Sequence, residues 1–357
     1  MLPHDAIPSG ITGTAVATTG FTFAPSGNGA YRAVRPANAS ANSVSPRIEK
    51  LDVASLTLVS GFNIAEGLTP SSNSLLLAIM KQLTVNRAET VLYGISDSGL
   101  IVIPLTNPSG APQINTGGIV NGASFALDPT PIAPGSIATI FGSNLSKGIL
   151  FPSSLPLPTV LGSTCVTFDG IAAPLFFASS GQLNVQVPWE VSGKTSVQAA
   201  VSNGPLFSLP VSVNLASFAP GIFTIAGNGQ GPGAILHSSD FSLVSTSNPA
   251  RIGEIVSIYS TGMGPTSPQI ITGAPAPTDG SLYRSSMPTV TIGSVSAPVS
   301  FAGLAPGFVG LYQVDVRIPS NAPIGIGIPL VISLGTAGSN SPSLSNPATI
   351  TIAPAVQ

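Results

Sequence analysis

The sequence predicts an all-β protein of repeated modules, and three observations lead to this fold class. Short apolar runs alternate with turn residues along most of the chain, and 39 glycines and 35 prolines make up about a fifth of the 357 residues. The hydrophobic fraction of 43% is large enough to fill packed cores. Finally, a series of segments occurs twice, in the same order, in the C-terminal two thirds of the chain.

The charge content argues against two classes of partner. Charged residues form 7% of the chain, against roughly 25% in typical soluble proteins, and the formal net charge is −2. The 11 lysines and arginines are scattered singly, whereas nucleic-acid binding requires a clustered basic surface. The uncharged stretch 318–357 is interrupted by prolines and glycines and lacks the ~20 continuous apolar residues of a membrane helix. The sequence therefore predicts no nucleic-acid partner and no membrane span.

Residues 1–105 are predicted to form a β-rich region that resembles propeller blades. Strand-like patterns surround turn residues at 20–33, 50–62 and 88–105, while SLLLAIM (74–80) suits a strand or a short helix. Propeller blades repeat at roughly 40–50 residues, and a ring needs at least about four of them. The region is therefore either an incomplete propeller, truncated at its start, or a smaller β domain.

Three pairs of segments define the repeat that follows an uncharged, Pro- and Gly-rich linker at 106–117. They are GSIATIFGSNL (135–145) and GEIVSIYSTGM (253–263), VTFDGIAAP (166–174) and VTIGSVSAP (290–298), and QLNVQVP (182–188) and QVDVRIP (313–319). In the last pair, apolar and polar residues alternate in the same phase and a proline ends each run, as expected of a strand with one buried face. The repeat predicts two β-sandwiches of roughly seven strands and about 100 residues, at 118–220 and 221–357.

The second copy differs from the first by an insertion. Pro298 and Pro319 are 21 positions apart, whereas the matching Pro174 and Pro188 are 14 apart, so the second copy has seven more residues there. The inserted residues lie in GLAPGFVG (303–310), whose glycines and proline predict a longer loop and no new strand.

Several of these segments together resemble a known family. The segments GSIATIFGSNL, VTFDGIAAP and QLNVQVP, in this order, resemble the IPT/TIG class of immunoglobulin-like domains. The stretches IAPGSIATIFGSNL, APLFFASSGQLNVQVPWE, APGIF, GEIVSIYSTGMGP and FAGLAPGFVGLYQVDVRIP together resemble the uncharacterised C-terminal domain family of acidobacterial proteins, which often follows a β-propeller. The resemblance covers about residues 115–355. It implies tandem immunoglobulin-like modules in a secreted or surface protein, and it implies no activity and no catalytic residues.

The sequence contains no recognisable pattern of catalytic or metal-binding residues. The histidines, His4 and His237, have no second ligand type at metal spacing, and His237 is expected at the solvated edge of a hairpin. The single cysteine, Cys165, fits a small strand residue, since no basic neighbour would activate its thiol. GNGQGPG (227–233) has no helix after it, so an interdomain turn is expected in place of a phosphate loop. The sequence predicts no catalytic residue, no metal site and no cofactor.

Two aromatic features are candidates for partner binding. Trp189, the only tryptophan of the sequence, follows a proline that ends a strand. Its side chain could stack on a sugar or bind a protein partner. Alternatively, it could cover the end of the sandwich or contact the next module. The uncharged insertion carries Leu304, Phe308 and Tyr312, and it packs either on the neighbouring domain or on an external partner.

The predicted function is that of a non-enzymatic extracellular module with a structural or protein-interaction role. Two alternatives are an accessory carbohydrate- or polymer-binding module and the C-terminal remainder of a larger secreted propeller protein with an upstream activity. A protein or a polysaccharide at the cell surface is the expected partner. The start of the chain lacks the features of a signal peptide, which a truncated start would explain, and the expected location is extracellular or the cell envelope.

Overall fold

The computed structural model of the protein describes residues 16–36, 47–55, 58–63, 83–96, 99–105, 109–335 and 342–355. These residues form strands and loops, and the helix among them is a single 3-10 turn at Trp189–Val191. The all-β prediction is confirmed. The segment 74–80 and His4 lie outside the described residues. No helix in the described part of the chain is long and apolar enough to cross a membrane.

The N-terminal region consists of two antiparallel sheets that share one hydrophobic core. The first sheet contains β1 (Val16–Phe23), β2 (Gly29–Pro36), β3 (Arg47–Asp52) and β4 (Leu58–Asn63), and the second contains β5 (Leu83–Val85), β6 (Val91–Ser96) and β7 (Gly99–Pro104). The core combines Tyr31 and Ile48 of the first sheet with Leu83, Leu92 and Ile103 of the second. The predicted hairpins around 20–33 and 88–105 are present as β1–β2 and β6–β7. The propeller assignment stays a prediction.

The first C-terminal module is a sandwich of two sheets. Its strands are β8 (Gln113–Asn121), β9 (Ile137–Ser143), β10 (Val160–Leu161), β11 (Thr164–Phe168), β12 (Ile171–Ala172), β13 (Leu175–Ala178), β14 (Gln182–Gln186), β15 (Ser196–Asn203), β16 (Leu206–Phe207) and β17 (Val211–Asn214). One sheet has the order β13-β14-β9-β8, and the other has the order β10-β11-β15-β16, with β12 beside β11 and β17 beside β15. Since β8 begins at Gln113, the last part of the predicted linker is strand.

The second module repeats this arrangement with additional strands. They are β18 (Gly221–Ile222), β19 (Ile235–His237), β20 (Ala250–Arg251), β21 (Ile255–Thr261), β22 (Thr266–Ser267), β23 (Arg284–Ser285), β24 (Thr289–Ile292), β25 (Val295–Ala297), β26 (Val299–Leu304), β27 (Tyr312–Arg317), β28 (Gly325–Leu334), β29 (Ser343–Leu344) and β30 (Ala348–Ala353). One sheet has the order β18-β21-β27-β26-β23-β22 with β19 on β21, and the other has the order β20-β30-β28-β24-β25 with β29 on β28.

The sequence repeat corresponds to a repeat in strand register. Leu183 lies opposite Ile140 in the first module, and Val314 lies opposite Ile258 in the second, so the matched segments pair in the same way. All four side chains are buried. Alternation places one face of each strand in the core, and a slip by one residue would expose it. The predicted phase of the alternation is confirmed in both copies.

The segment 303–310 leads from the end of β26 through a loop to β27. Its first residues, through Leu304, belong to β26, and the loop closes when the Ala305 N–H donates to the carbonyl of Leu311 over 2.9 Å. Tyr312 then begins β27 with its side chain completely buried, and its hydroxyl donates to the carbonyl of Gly264. Burial raises the pKa of the Tyr312 phenol far above its ordinary value, so it remains a neutral donor.

We expect Tyr312→Phe to lower the free energy of unfolding by about 1–3 kcal/mol, because the buried Gly264 carbonyl loses its donor. Urea denaturation followed by circular dichroism measures this change. The matched control is Tyr283→Phe, since Tyr283 is half-buried and its hydroxyl makes no hydrogen bond within the described residues. Equal stability of the two variants would show that the Tyr312 hydroxyl contributes nothing to the fold.

Candidate functional site

Trp189 lies at the junction between the two C-terminal modules. It begins the 3-10 turn after β14, and only 6% of its surface is exposed. Its indole packs with the hydrophobic core residues of the second module. The ring also lies against the backbone of Gly135, where a Cβ atom would come within 2.0 Å of it. Trp189 of the first module is therefore an anchor buried in the second.

Hydrogen bonds fix the loop of the second module that faces Trp189. The Trp189 N–H donates to Thr272 Oγ1 over 3.0 Å, and the Thr272 hydroxyl donates to Glu190 Oε2 over 2.7 Å. The Gly273 N–H donates to Gln186 Oε1 over 2.6 Å, and Gln186 Nε2 donates to the Gly135 carbonyl over 3.3 Å. Gln186 is 1% exposed. The buried Gln186 amide is thus hydrogen-bonded through both its oxygen and its nitrogen, and one of these bonds connects the two modules.

The insertion loop reaches the junction through its backbone. The Thr261 hydroxyl accepts from the Ile137 N–H of the first module over 2.9 Å and donates to the Gly310 carbonyl over 2.8 Å. Gly310 lies so close to the Gly135 carbonyl that a Cβ atom would be 2.9 Å from it. The loop therefore packs on the neighbouring module at Gly310.

The predicted partner-binding residues occupy three different environments. Trp189 lies in the junction, while Leu304 and Tyr312 are core residues of the second module. Phe308 has the exposed side chain of the four, with 56% of its surface accessible. The structure does not bring these side chains together into one binding surface, and partner binding by Phe308 stays a prediction.

A second group of contacts joins the modules near the end of β8. Within the first module, Asn121 Nδ2 donates to the Ala219 carbonyl over 2.8 Å. Gly221 of the second module lies against the same side chain, and a Cβ atom there would be 2.4 Å from Asn121 Oδ1. Gly229, in the GNGQGPG loop, has φ +78° and lies against Ser124, whose carbonyl oxygen would be 2.1 Å from a Cβ atom. Only glycine combines this φ with this close approach. The loop predicted to be an interdomain turn is thus a contact between the modules.

His237 and Cys165 have structural surroundings. The prediction of a solvated His237 is wrong, since the residue is 7% exposed. Its Nδ1 contacts Glu254 Oε1, and its Nε2 is 3.2 Å from the Asn248 carbonyl, so both ring nitrogens are engaged. Cys165 is half-buried, as predicted, and burial raises the pKa of its thiol, which disfavours the reactive thiolate.

Sequence reasoning missed most of the junction. Gln186 corresponds to Arg317 in the second copy, and the two differ in the structure, since Gln186 is buried and Arg317 is exposed. A change of residue type between aligned positions of the two copies is the sequence signal that could identify junction residues. It arises because a residue that contacts the neighbouring module in one copy need not do so in the other. Gly135 corresponds to Gly253, so its special role leaves no such trace.

Comparison with known proteins gives a few distant structural likenesses. No known protein family matches the chain, and no curated protein matches it. SGBP-B of the Bacteroides ovatus mixed-linkage glucan utilization locus, in complex with a mixed-linkage heptasaccharide, is 12% identical over 74% of this chain and 52% of its own, with a TM-score of 0.29. The chain thus spans about half the length of that protein.

Three further structures each contain more than one domain of a larger protein. The I9–I11 tandem of titin is 8% identical over 95% of this chain and all of its own, with a TM-score of 0.18. Domains 5–6 of the S-layer protein SbsC are 15% identical over 67% of this chain and 99% of theirs, with a TM-score of 0.21. The tandem Ig repeats of Dlar are 9% identical over 69% of this chain and 96% of their own, with a TM-score of 0.17. The acidobacterial family stays a prediction.

We expect Gly135→Ala to displace the Trp189 indole, because the new Cβ atom would overlap the ring and φ at this position is +77°. The fluorescence of the single tryptophan should shift to longer wavelength, and stability should fall by roughly 1–3 kcal/mol. Gly148→Ala is the matched control, since no atom lies within 4 Å of its Cβ position. An unchanged emission maximum in Gly135→Ala would contradict this packing.

Proposed function

We propose that the chain is a non-enzymatic module of the extracellular surface or cell envelope, in which two immunoglobulin-like sandwiches act together as a rigid spacer or docking platform. The observation that carries this proposal is the burial of Trp189 in the core of the neighbouring module. A flexible tandem would keep its apolar residues within each module, because separate motion would expose them to water.

The second support is the composition of the junction. Gln186, Thr261 and Thr272 make directed hydrogen bonds across it, and Gly135 and Gly310 allow close backbone contact. Contacts between domains of one chain are usually polar enough to permit relative motion. A buried aromatic ring and several hydrogen bonds across the boundary oppose that motion, because separation of the modules would expose the ring and break the bonds.

The proposed partners are a protein or a polysaccharide at the cell surface. The chain carries few charges, and its lysines and arginines are scattered along the sequence, so its recognition would rest on apolar contacts and neutral hydrogen bonds. Phe308 is the proposed contact on the insertion loop, with Leu304 and Tyr312 holding the base of that loop in the core. The positions of both His237 ring nitrogens, already engaged within the fold, also fit a structural role.

We expect the two modules to keep a single separation in solution. Spin labels are attached to cysteines introduced as Ser180→Cys and Ser320→Cys, two exposed positions in different modules, in a Cys165→Ala background. Double electron–electron resonance should then give one narrow distribution of the distance between the labels. Trp189→Ala should broaden that distribution, because the anchor of the junction is removed. Phe308→Ala, on an exposed side chain, is the control that should leave it narrow. A broad distribution in the protein with Trp189 intact would overturn the rigid-spacer proposal.

A further inference from the structure

A groove of about 290 Å³ lies between the two modules, near the contacts of Asn121. Its walls come from three parts of the chain: the end of β8 with the loop after it, the connection at 217–220, and the short strand β29. This volume is close to the lower end of the roughly 300–1,000 Å³ found for small-molecule sites. The groove can therefore hold a small ligand or one unit of a longer chain.

The lining of the groove is uncharged and combines apolar surface with hydroxyl groups. Phe218 and Leu344 supply apolar surface, and Leu344 is 64% exposed. Phe218 is half-buried and packs against Gly264, which fixes its ring. Because no lining residue carries a charge, the groove offers nothing to balance an ionic ligand.

Two asparagines hold the walls of the groove in place. Asn121 accepts from the Ala123 N–H over 2.8 Å and donates to the Ala219 carbonyl. Asn346 accepts from the Ile222 N–H over 2.8 Å, and its Nδ2 donates to the Gly229 carbonyl, also over 2.8 Å. Each of these side chains connects separate segments around the groove. The groove is therefore formed before any ligand arrives, which lowers the entropic cost of binding.

Hydroxyl groups in the groove keep hydrogen-bonding capacity for a ligand. Thr130 is exposed and Ser343 is half-buried, and neither hydroxyl makes a hydrogen bond within the described residues. The Ser124 hydroxyl accepts from the Ala126 N–H over 3.3 Å, which leaves its own proton to donate. Each hydroxyl can both donate and accept.

We propose that this groove binds one unit of an uncharged saccharide chain. A neutral sugar presents C–H groups on the faces of its ring and hydroxyls at the edge, and the groove offers an aromatic ring together with free hydroxyls. An extended peptide fits less well, because peptide addition needs a free strand edge and β29 has two residues. The site rests on the rigid junction proposed above, because both modules contribute to its walls.

The test is isothermal titration of the full chain with uncharged hexasaccharides of α- and β-linked glucose, mannose, galactose and xylose. At least one of them should bind, and Phe218→Ala should weaken it roughly tenfold through loss of the aromatic contact. Thr130→Trp, at an exposed position, should abolish binding by filling the groove without removing a core residue. Phe241→Ala, which removes an exposed aromatic ring outside the groove, is the control that should retain the wild-type affinity.

Three results would overturn the proposal. These are binding by none of the neutral hexasaccharides, equal affinity in Thr130→Trp and the unaltered protein, and binding of an uncharged extended peptide in place of sugars. The spin-label distance between positions 180 and 320 is measured on the same variants. A loss of sugar binding at an unchanged distance locates the defect in the groove, whereas a broadened distance locates it in the junction.

Discussion

The arrangement of the two modules depends on the fit between the Trp189 indole and the backbone of Gly135. The indole ring occupies the space that a Cβ atom at position 135 would need. The same ring packs with the core residues of the second module. This contact places the 3-10 turn beside the loop that carries Thr272, so the cross-module hydrogen bonds follow from it. The indole Nε1 is buried and has no hydrogen-bond partner in the described part of the chain, so shape and apolar contact account for the use of this residue.

The repeated segments form two sandwiches with similar strand pairing, but the two sandwiches contribute different residues to the junction between them. Ile132 pairs in parallel with Leu215 in the first module, and Ala250 pairs in parallel with Ile352 in the second, so even the minor edge contacts are repeated. The modules differ where they meet. The first contributes a tryptophan on a turn, and the second contributes a longer loop whose glycine backbone approaches the first.

A low charge content runs through the structure and the proposals made for it. Amide and hydroxyl side chains, such as those of Gln186 and Thr261, make hydrogen bonds across the junction together with the carboxylate of Glu190. No residue that lines the intermodule groove is charged. Neutral hydrogen bonds are directional and insensitive to salt, so they suit fixed geometry and the recognition of other neutral groups. The same chemistry thus serves the rigidity of the tandem and the ligand proposed for it.

The strands of the repeated segments and their order could be predicted from the sequence. The alternation in QLNVQVP and QVDVRIP fixed which face of each strand is buried, because a side-chain period of two leaves one choice once a core exists. It also located the insertion and singled out Trp189 and Phe308. The burial of Trp189 between the modules, the enclosure of His237 and the groove near Asn121 became visible in the folded chain. Each of them depends on contacts between segments that are separate in the sequence, and the alternation within one strand does not specify which other segment will cover it.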